Sequence, residues 1–263
     1  MALLGVVLGR VFSRLGKSYW AFGYALPVLL IASLVMSRYA TSLAFVPPFY
    51  WITASRARFV ILSLAATTGL TTPLSRLPRR SEKLIVCVLM AVVVAWFSVM
   101  PFLVPALLRD KLSGLETHLD SNGVCFQSTD FTCAPAAAVT ALRQLGLAAQ
   151  EGEIAVLSRT SPIAGTLPGC LGKALELRYG DAGLSCRYRY FDSVAELEKA
   201  GPTLAVIKDT FMCDHCVAVL EVSGQTVTVG DPVVGRRLMS RERFEKLWRY
   251  TGLVLKMDSA RSI

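Results

Sequence analysis

Apolar residues are distributed along this chain in two textures. Over the first 110 positions they form long unbroken runs; afterwards they form short runs separated by polar and turn-forming residues. The run "YWAFGYALPVLLIASLVMS" (19–37) approaches the roughly 20 apolar residues that cross a bilayer as a helix. "FVILSLAATTGLTTPL" (59–74) is shorter and carries Thr and Gly, whereas "LIVCVLMAVVVAWFSVMPFLVPALL" (84–108) is the clearest span. Between the first two lies "ATSLAFVPPFYWITAS" (40–55), where a Pro-Pro pair opposes a regular helix. It reads as a re-entrant or interfacial connector, with Phe49, Tyr50 and Trp51 at headgroup level. Residues 1–18 set Arg10, Arg14 and Lys17 among apolar positions and predict a short amphipathic helix on a membrane surface. A cleaved signal peptide is the weaker reading, because no A-x-A-like site follows the first apolar run.

From about residue 112 the pattern becomes that of a globular domain. Residues 134–146, ending at Gly146, predict a helix, with further helices over 150–158 and 169–179 on either side of the Pro/Gly-rich "SPIAGTLPG". "TLAVIKD", "HCVAVLEVSG", "TVTVGDP" and "GLVLKM" are short β-branched runs punctuated by Gly and Asp-Pro, as in sheet strands. Helices first and strands after is an α+β order, N-terminal helices followed by an antiparallel sheet. The expected organisation is a membrane region over 1–111 with about three transmembrane helices (about 19–37, 58–74 and 84–108), then a globular domain over 112–263.

Composition agrees with a membrane part joined to an ordinary domain: 53% of the 263 residues are hydrophobic, 18% are charged, and mean hydropathy is +0.49. In a chain with apolar spans, the net charge of +9 reads as topology signals and attraction to anionic lipid. No nucleic-acid motif is present, so nucleic acid is not an expected partner. Arg10, Arg14 and Lys17 before the first span, and Arg76, Arg79, Arg80 and Lys83 before the last, favour the cytoplasmic side. Two crossings between these segments leave everything after residue 110 outside the cytoplasm. Arg38, Arg56, Arg58, Arg109 and Lys111 pull the other way, and a crossing by the Pro-Pro segment would reverse the result.

The chain has only two histidines, His118 and His215, so any imidazole chemistry has two candidates. Seven cysteines are too few for a disulfide scaffold. Cys133 opens "CAPAAAV", where Pro in a first helical turn costs little. A thiol at a helix N-terminus meets free N–H groups and the positive end of the dipole, which favour a thiolate. His215 stands at the start of one expected strand and Asp231 ends the next, across a short turn at Ser223-Gly224. Adjacent hairpin strands bring the start of one beside the end of the other, so the carboxylate can fix the imidazole tautomer. Gln127 precedes the helix and can donate to an oxyanion alongside the Cys133 N–H. Gln, Cys, His and Asp thus follow one another in papain-like order.

These positions resemble the bacteriocin-processing endopeptidases, papain-like proteases that cut after double-glycine leaders. The resemblance covers about residues 120–256 and rests on the six-residue interval from Gln127 to Cys133 and the sixteen-residue interval from His215 to Asp231. It extends to "GTLPGCLGKALE" and to "DPVVGRRLMSRERFEKLW", which are similar to the family's Gly-Thr segment and its Asp-Pro turn followed by a Ser-x-x-x-Phe helix. Ala134 stands where the family has Gly, and Thr132 where it has Asp. The resemblance implies a papain-like α+β domain hydrolysing peptide bonds through Cys133, His215, Asp231 and Gln127, with no cofactor. Peptide or protein substrate, the lipid bilayer and a separate transporter or membrane protein are the implied partners. It also implies a bacterial inner membrane, with the domain extracytoplasmic by the charge argument. The best-known members are fused to an ATP-binding-cassette transporter, and no GxxxxGK[ST] motif occurs in these 263 residues. Two alternatives stand beside hydrolysis: a degenerate domain that binds a peptide for a partner transporter, and acyl transfer on the same triad.

The remaining candidates have plainer readings. Cys213-x-x-Cys216 flanks His215, but a structural zinc site wants a second ligand pair and none occurs. In an oxidising compartment one of this pair could join Cys125, Cys170 or Cys186 in a disulfide. Strand alternation puts Cys213 on the face of His215 and Cys216 on the other, which favours Cys213 as the neighbour of the site. Cys125, Cys170 and Cys186 are expected core residues, and His118 a juxtamembrane surface residue. "GRRLMSRERFEKLWR" reads as a solvated helix face, or as a contact to anionic lipid.

Overall fold

In a computed structural model, residues 1–16, 19–47, 49, 56–210 and 213–258 are described, and the chain divides into two compact units, Met1–Val104 and Pro105–Ile263. Lys17, Tyr50 and Trp51, which the sequence reading placed at a membrane surface, lie outside the described residues.

The first unit is a bundle of helices α1 (Ala2–Arg14), α2 (Phe22–Tyr39), α3 (Ala57–Thr71) and α4 (Arg80–Leu107). Helices α2 and α4 are long and apolar enough to cross a membrane, and α3 is a shorter apolar helix. Helix α4 passes through a π-helical turn, Ala95–Val99, just before Pro101. Pro101 and Pro105 lack the N–H that would continue the ladder, and a π turn absorbs such a break without ending the helix. Burial here is inverted relative to a water-soluble domain. Ser63, Thr67, Thr68 and Thr71 of α3 are buried, while Leu84, Ile85, Val88, Val92, Trp96 and Leu107 of α4 are exposed. Helix α1 departs from the surface-helix expectation by burying Gly5, Gly9 and Ser13, one side of its cylinder, against α3. A side chain at Gly9 would come within 2.6 Å of the Thr71 Cβ, so the small residues are what lets the two backbones approach.

The second unit begins with α5 (Arg109–Ser113) and a short antiparallel pair, β1 (His118–Leu119) and β2 (Cys125–Phe126). Three helices follow, α6 (Cys133–Gln144), α7 (Glu151–Leu157) and α8 (Pro168–Tyr179). A six-stranded antiparallel sheet then runs in the order β3-β8-β4-β5-β6-β7. Its strands are β3 (Leu184–Tyr190), β4 (Thr203–Lys208), β5 (Asp214–Val222), β6 (Thr226–Asp231), β7 (Gly235–Ser240) and β8 (Trp248–Met257). Helices before sheet is the α+β order expected, with two differences. Short helices α9 (Val194–Ala200) and α10 (Arg241–Leu247) interrupt the strands. The basic segment read as one helix face is instead strand β7 followed by α10, with Ser240 capping the helix by accepting from the Arg243 N–H. Strand β3, "LSCRYRY", was not expected: its alternation of Arg with Cys and Tyr marks a sheet edge rather than a buried run.

Two cores sandwich the sheet. On one face Leu204, Ala218, Leu253 and Leu255 pack beneath the almost wholly buried α6 and beneath Leu171 and Leu175 of α8. On the other, Val217, Val219, Val227 and Val229 pack against Phe191, Phe244 and Trp248. The Trp248 indole stacks on Tyr250 at 4.9 Å and donates its N–H to the Thr251 carbonyl, so its one polar atom is satisfied in the core. The Ala-rich sequence of α6 allows a close seat on the sheet. At Gly230 of β6 a Cβ would lie 2.9 Å from Thr140 of α6, so glycine is required where helix and strand touch. Gly146, at φ +76°, ends α6, with the Leu147 N–H closing on the Leu142 carbonyl.

Candidate active site

The N-terminus of α6 and the adjoining ends of β5 and β6 converge on one point. Cys133 is the first residue of α6, and Thr132 before it is wholly buried, its hydroxyl accepting from the Thr129 N–H at 3.1 Å. This tight turn fixes the entry into the helix and leaves the Cys133 thiol partly exposed. Strands β5 and β6 pair with Ala218 opposite Gly230. Continuing that register puts His215 diagonal to Asp231, within reach of a long side chain on the same face. His215 Nε2 lies 2.8 Å from Asp231 Oδ1, and Cys133 is near enough to the imidazole to act on its charge.

The electrostatics follow from that chain of contacts. Burial alone would lower the His215 pKa, but the hydrogen bonds to Asp231 and Cys133, and their negative charges, raise it to about 9. Burial works against ionisation of Asp231 as well. It is outweighed by the His215 bond, by a 2.9 Å bond from the Val233 N–H, and by the His215 and Arg237 charges, so the carboxyl titrates below its usual range. Arg237 Nη1 lies 3.8 Å from Asp231 Oδ2. At neutral pH the proton therefore resides on His215, beside a thiol at a helix N-terminus.

Gln127 follows β2 and is tied to the same strand end, its N–H donating to the Pro232 carbonyl at 2.9 Å. Its side-chain Oε1 is buried without a hydrogen-bond partner among the described residues. The structure thus brings Cys133, His215 and Asp231 together, His215 bonded to Asp231 and Cys133 near the ring, with the Gln127 backbone tied beside Asp231. His118 is exposed in β1, where its Nε2 lies 4.0 Å from Glu116 Oε2.

The sequence reading of the other cysteines needs one correction. Cys213 is exposed in the turn before β5, where its N–H donates to Thr210 Oγ1. Cys216 is the thiol near the site: burial raises its pKa first, and the Cys133 charge adds to the effect. Strand alternation does not reach Cys213, because β5 starts only at Asp214. Burial, followed by the charge of a neighbouring glutamate, pushes Cys125 and Cys186 up to about 12, which keeps those thiols protonated. Arg237 and the buried Glu151 also went unread. Arg237 was hidden in a basic run that looked like solvated surface, and nothing local to Glu151 marks it as buried.

Residues 122–262 match the model of the Peptidase C39 family. An uncharacterized protein of Methanothermobacter marburgensis is 29% identical over 144 residues, covering 55% of this chain and 94% of the relative. A second, from Methanothermobacter thermautotrophicus, is 28% identical over the same length. Among solved structures, the peptidase domain of Streptococcus ComA, a bi-functional ABC transporter involved in a quorum-sensing pathway, aligns with TM-score 0.44 and 21% identity. That alignment covers 51% of this chain and 96% of the domain. A double glycine motif protease from an AMS/PCAT transporter, in complex with a leader peptide, aligns with TM-score 0.44 and 17% identity, over 54% of this chain and 94% of its own.

Proposed function

The chain belongs to the Peptidase C39 family, cysteine peptidases of papain-like α+β fold, and from that premise we propose that it is a membrane-anchored cysteine endopeptidase acting through Cys133, His215, Asp231 and Gln127. The observation that carries the reading is the 2.8 Å contact of Asp231 Oδ1 with the His215 ring, with Cys133 at the start of α6 near that ring. His215 holds the proton and its positive charge stabilises the Cys133 thiolate. The thiolate attacks the substrate carbonyl carbon. The oxygen that gains charge is bound by the Cys133 backbone N–H and the Gln127 side-chain amide. His215 then gives its proton to the departing amine, leaving a thioester on Cys133. A water molecule, deprotonated by His215, attacks the thioester, and the second collapse returns the thiolate and the protonated imidazole. Asp231 keeps the ring in one tautomer and opposes the positive charge, and Arg237 keeps Asp231 ionised.

The substrate class that fits this family is a precursor or leader peptide, cut after a double glycine and delivered by, or to, a separate transporter. Membrane anchoring is supported by the long apolar helices α2 and α4, whose large side chains point outward around a hydroxyl-lined interior. With α3 as a third crossing, the basic residues before α2 and α4 put the second unit on the extracytoplasmic side.

A peptide electrophile directed at cysteine tests the chemistry on the full chain in detergent. Wild type should be labelled, and Cys133→Ala should lose both the label and all hydrolysis above the buffer rate. Equal labelling of the two proteins, or none of either, overturns the proposal.

A further inference from the structure

Glu151 is fully buried at the start of α7, yet it takes no part in the Asp231–His215–Cys133 chain. Its Oε1 accepts from the Ser128 N–H at 2.9 Å and its Oε2 from the Ser128 hydroxyl at 2.6 Å. Among the described residues it forms no ion pair. Its own N–H donates to Thr117 Oγ1 at 2.9 Å, so it joins three segments distant in sequence. The helix carrying it is wedged in place: a Cβ at Gly152 would lie 2.5 Å from the Leu112 carbonyl. A carboxylate buried without a cation is costly unless its hydrogen bonds are good ones, and bonds to an ionised acceptor are about twice as strong as neutral ones. Both of these bonds go to a single residue, the one after Gln127.

Gln127 needs such support. Among the described residues its buried Oε1 has no hydrogen-bond partner, so none of them holds the acceptor end of the amide. Its position depends on the backbone, fixed on one side by the Pro232 carbonyl and on the other by Ser128. We infer that Glu151 is a positioning residue that acts through Ser128 to hold the Gln127 amide where the oxyanion forms. This rests on the peptidase reading above. Glu151 touches no substrate; it sets how accurately another residue does so.

The test is a double-mutant cycle on the full chain in detergent, with kcat and KM measured on one peptide substrate. Glu151→Ala should lower kcat by about 10- to 100-fold with KM within about twofold, since a misplacement near 1 Å can cost about 10². In a Gln127→Ala background the same change should have no further effect on kcat, because the residue it positions is gone. Glu151→Gln keeps an acceptor for the Ser128 N–H and should restore kcat to within about threefold of wild type. Ser128→Ala removes one of the two bonds while leaving Glu151 in place. It supplies the same cycle if Glu151→Ala does not fold, with kcat expected to fall about three- to tenfold. Multiplicative losses in the double variants, or a loss confined to KM, overturn the inference while leaving the peptidase reading intact. A wild type no faster than Cys133→Ala overturns both.

Discussion

The helix Ala57–Thr71 buries Ser63, Thr67, Thr68 and Thr71, and the peptidase unit buries Thr132, Thr140, Glu151 and Asp231. The balance of local and distant partners differs. Ser63 accepts from Ser98 Oγ at 2.7 Å, but the helix threonines each donate within their own helix. In the peptidase unit Thr132 bonds locally to Thr129, and the other three reach distant partners. In the helix the hydroxyls of Thr67, Thr68 and Thr71 donate to carbonyls four residues back, at 2.7, 2.8 and 2.7 Å. In the peptidase unit Thr140 accepts from the Cys125 N–H, Glu151 from Ser128, and Asp231 Oδ1 lies 2.8 Å from His215, partners 15, 23 and 16 residues away. Local satisfaction lets a threonine sit inside a bundle whose outer side chains are apolar, with no need of a distant partner. Long-range satisfaction fixes one segment against another, and that is what a reactive geometry needs.

The largest expected effect follows from removing His215, which faces both Asp231 and Cys133. His215→Gln removes the proton carrier as well as the partner of Asp231, and kcat on a peptide substrate should fall by about 10⁴. Retention of more than a tenth of the wild-type rate would dissolve the contrast between the two kinds of buried polar group. Gln127→Ala removes one oxyanion donor and should cost about 10²–10³ in kcat, with a smaller effect on KM.

Asp231→Asn sharpens the comparison through pH rather than rate. An amide oxygen still accepts from Nε2, as in the Cys-His-Asn variants of this arrangement, but the negative charge is gone. Wild-type kcat/KM should decline above about pH 9 as the imidazolium is lost. In the variant, burial, which lowers the His215 pKa, is opposed by less charge, so the alkaline limb moves to lower pH. Stability follows the same groups. The raised His215 pKa contributes stability that is complete below its ordinary 6.5 and is lost as pH rises through about 9. The depressed Asp231 pKa contributes above its ordinary 3.8, and that share is lost as the carboxyl is protonated at lower pH. An alkaline limb that does not move in Asp231→Asn would mean that the carboxylate is not what charges His215.

How much of this was legible in the sequence follows the same division. Cys133, Gln127, His215 and Asp231 could be picked out because intervals along strand and helix fix them: β5 and β6 form a hairpin, so a sixteen-residue separation has a geometric meaning. Glu151, Arg237 and Cys216 could not, because their roles depend on which segments pack together in three dimensions. Strand β7 was misread because its charges suggested solvent, which is equally true of an edge strand. The runs that form α2 and α4 were plain from length and hydropathy alone. The close seat of α1 on α3 was not, since Gly5 and Gly9 in an apolar stretch look unremarkable until the facing threonines are known.

One substitution made in both units isolates the contrast at the smallest scale. Thr140→Val removes the acceptor of the buried Cys125 N–H and leaves that donor without a partner beneath α6. An unsatisfied buried donor costs about 1–3 kcal/mol, so the denaturation midpoint of the peptidase unit should fall accordingly. Thr68→Val removes a hydroxyl whose only acceptor, the Leu64 carbonyl, keeps its own helical N–H bond, so no group is orphaned. Its effect on unfolding of the full chain in detergent should stay within about 0.5 kcal/mol. Equal losses from the two changes would mean that the α3 hydroxyls also hold separate segments together. A difference of at least about 1 kcal/mol would separate polar groups that merely fit their own helix from those that hold distant segments in register.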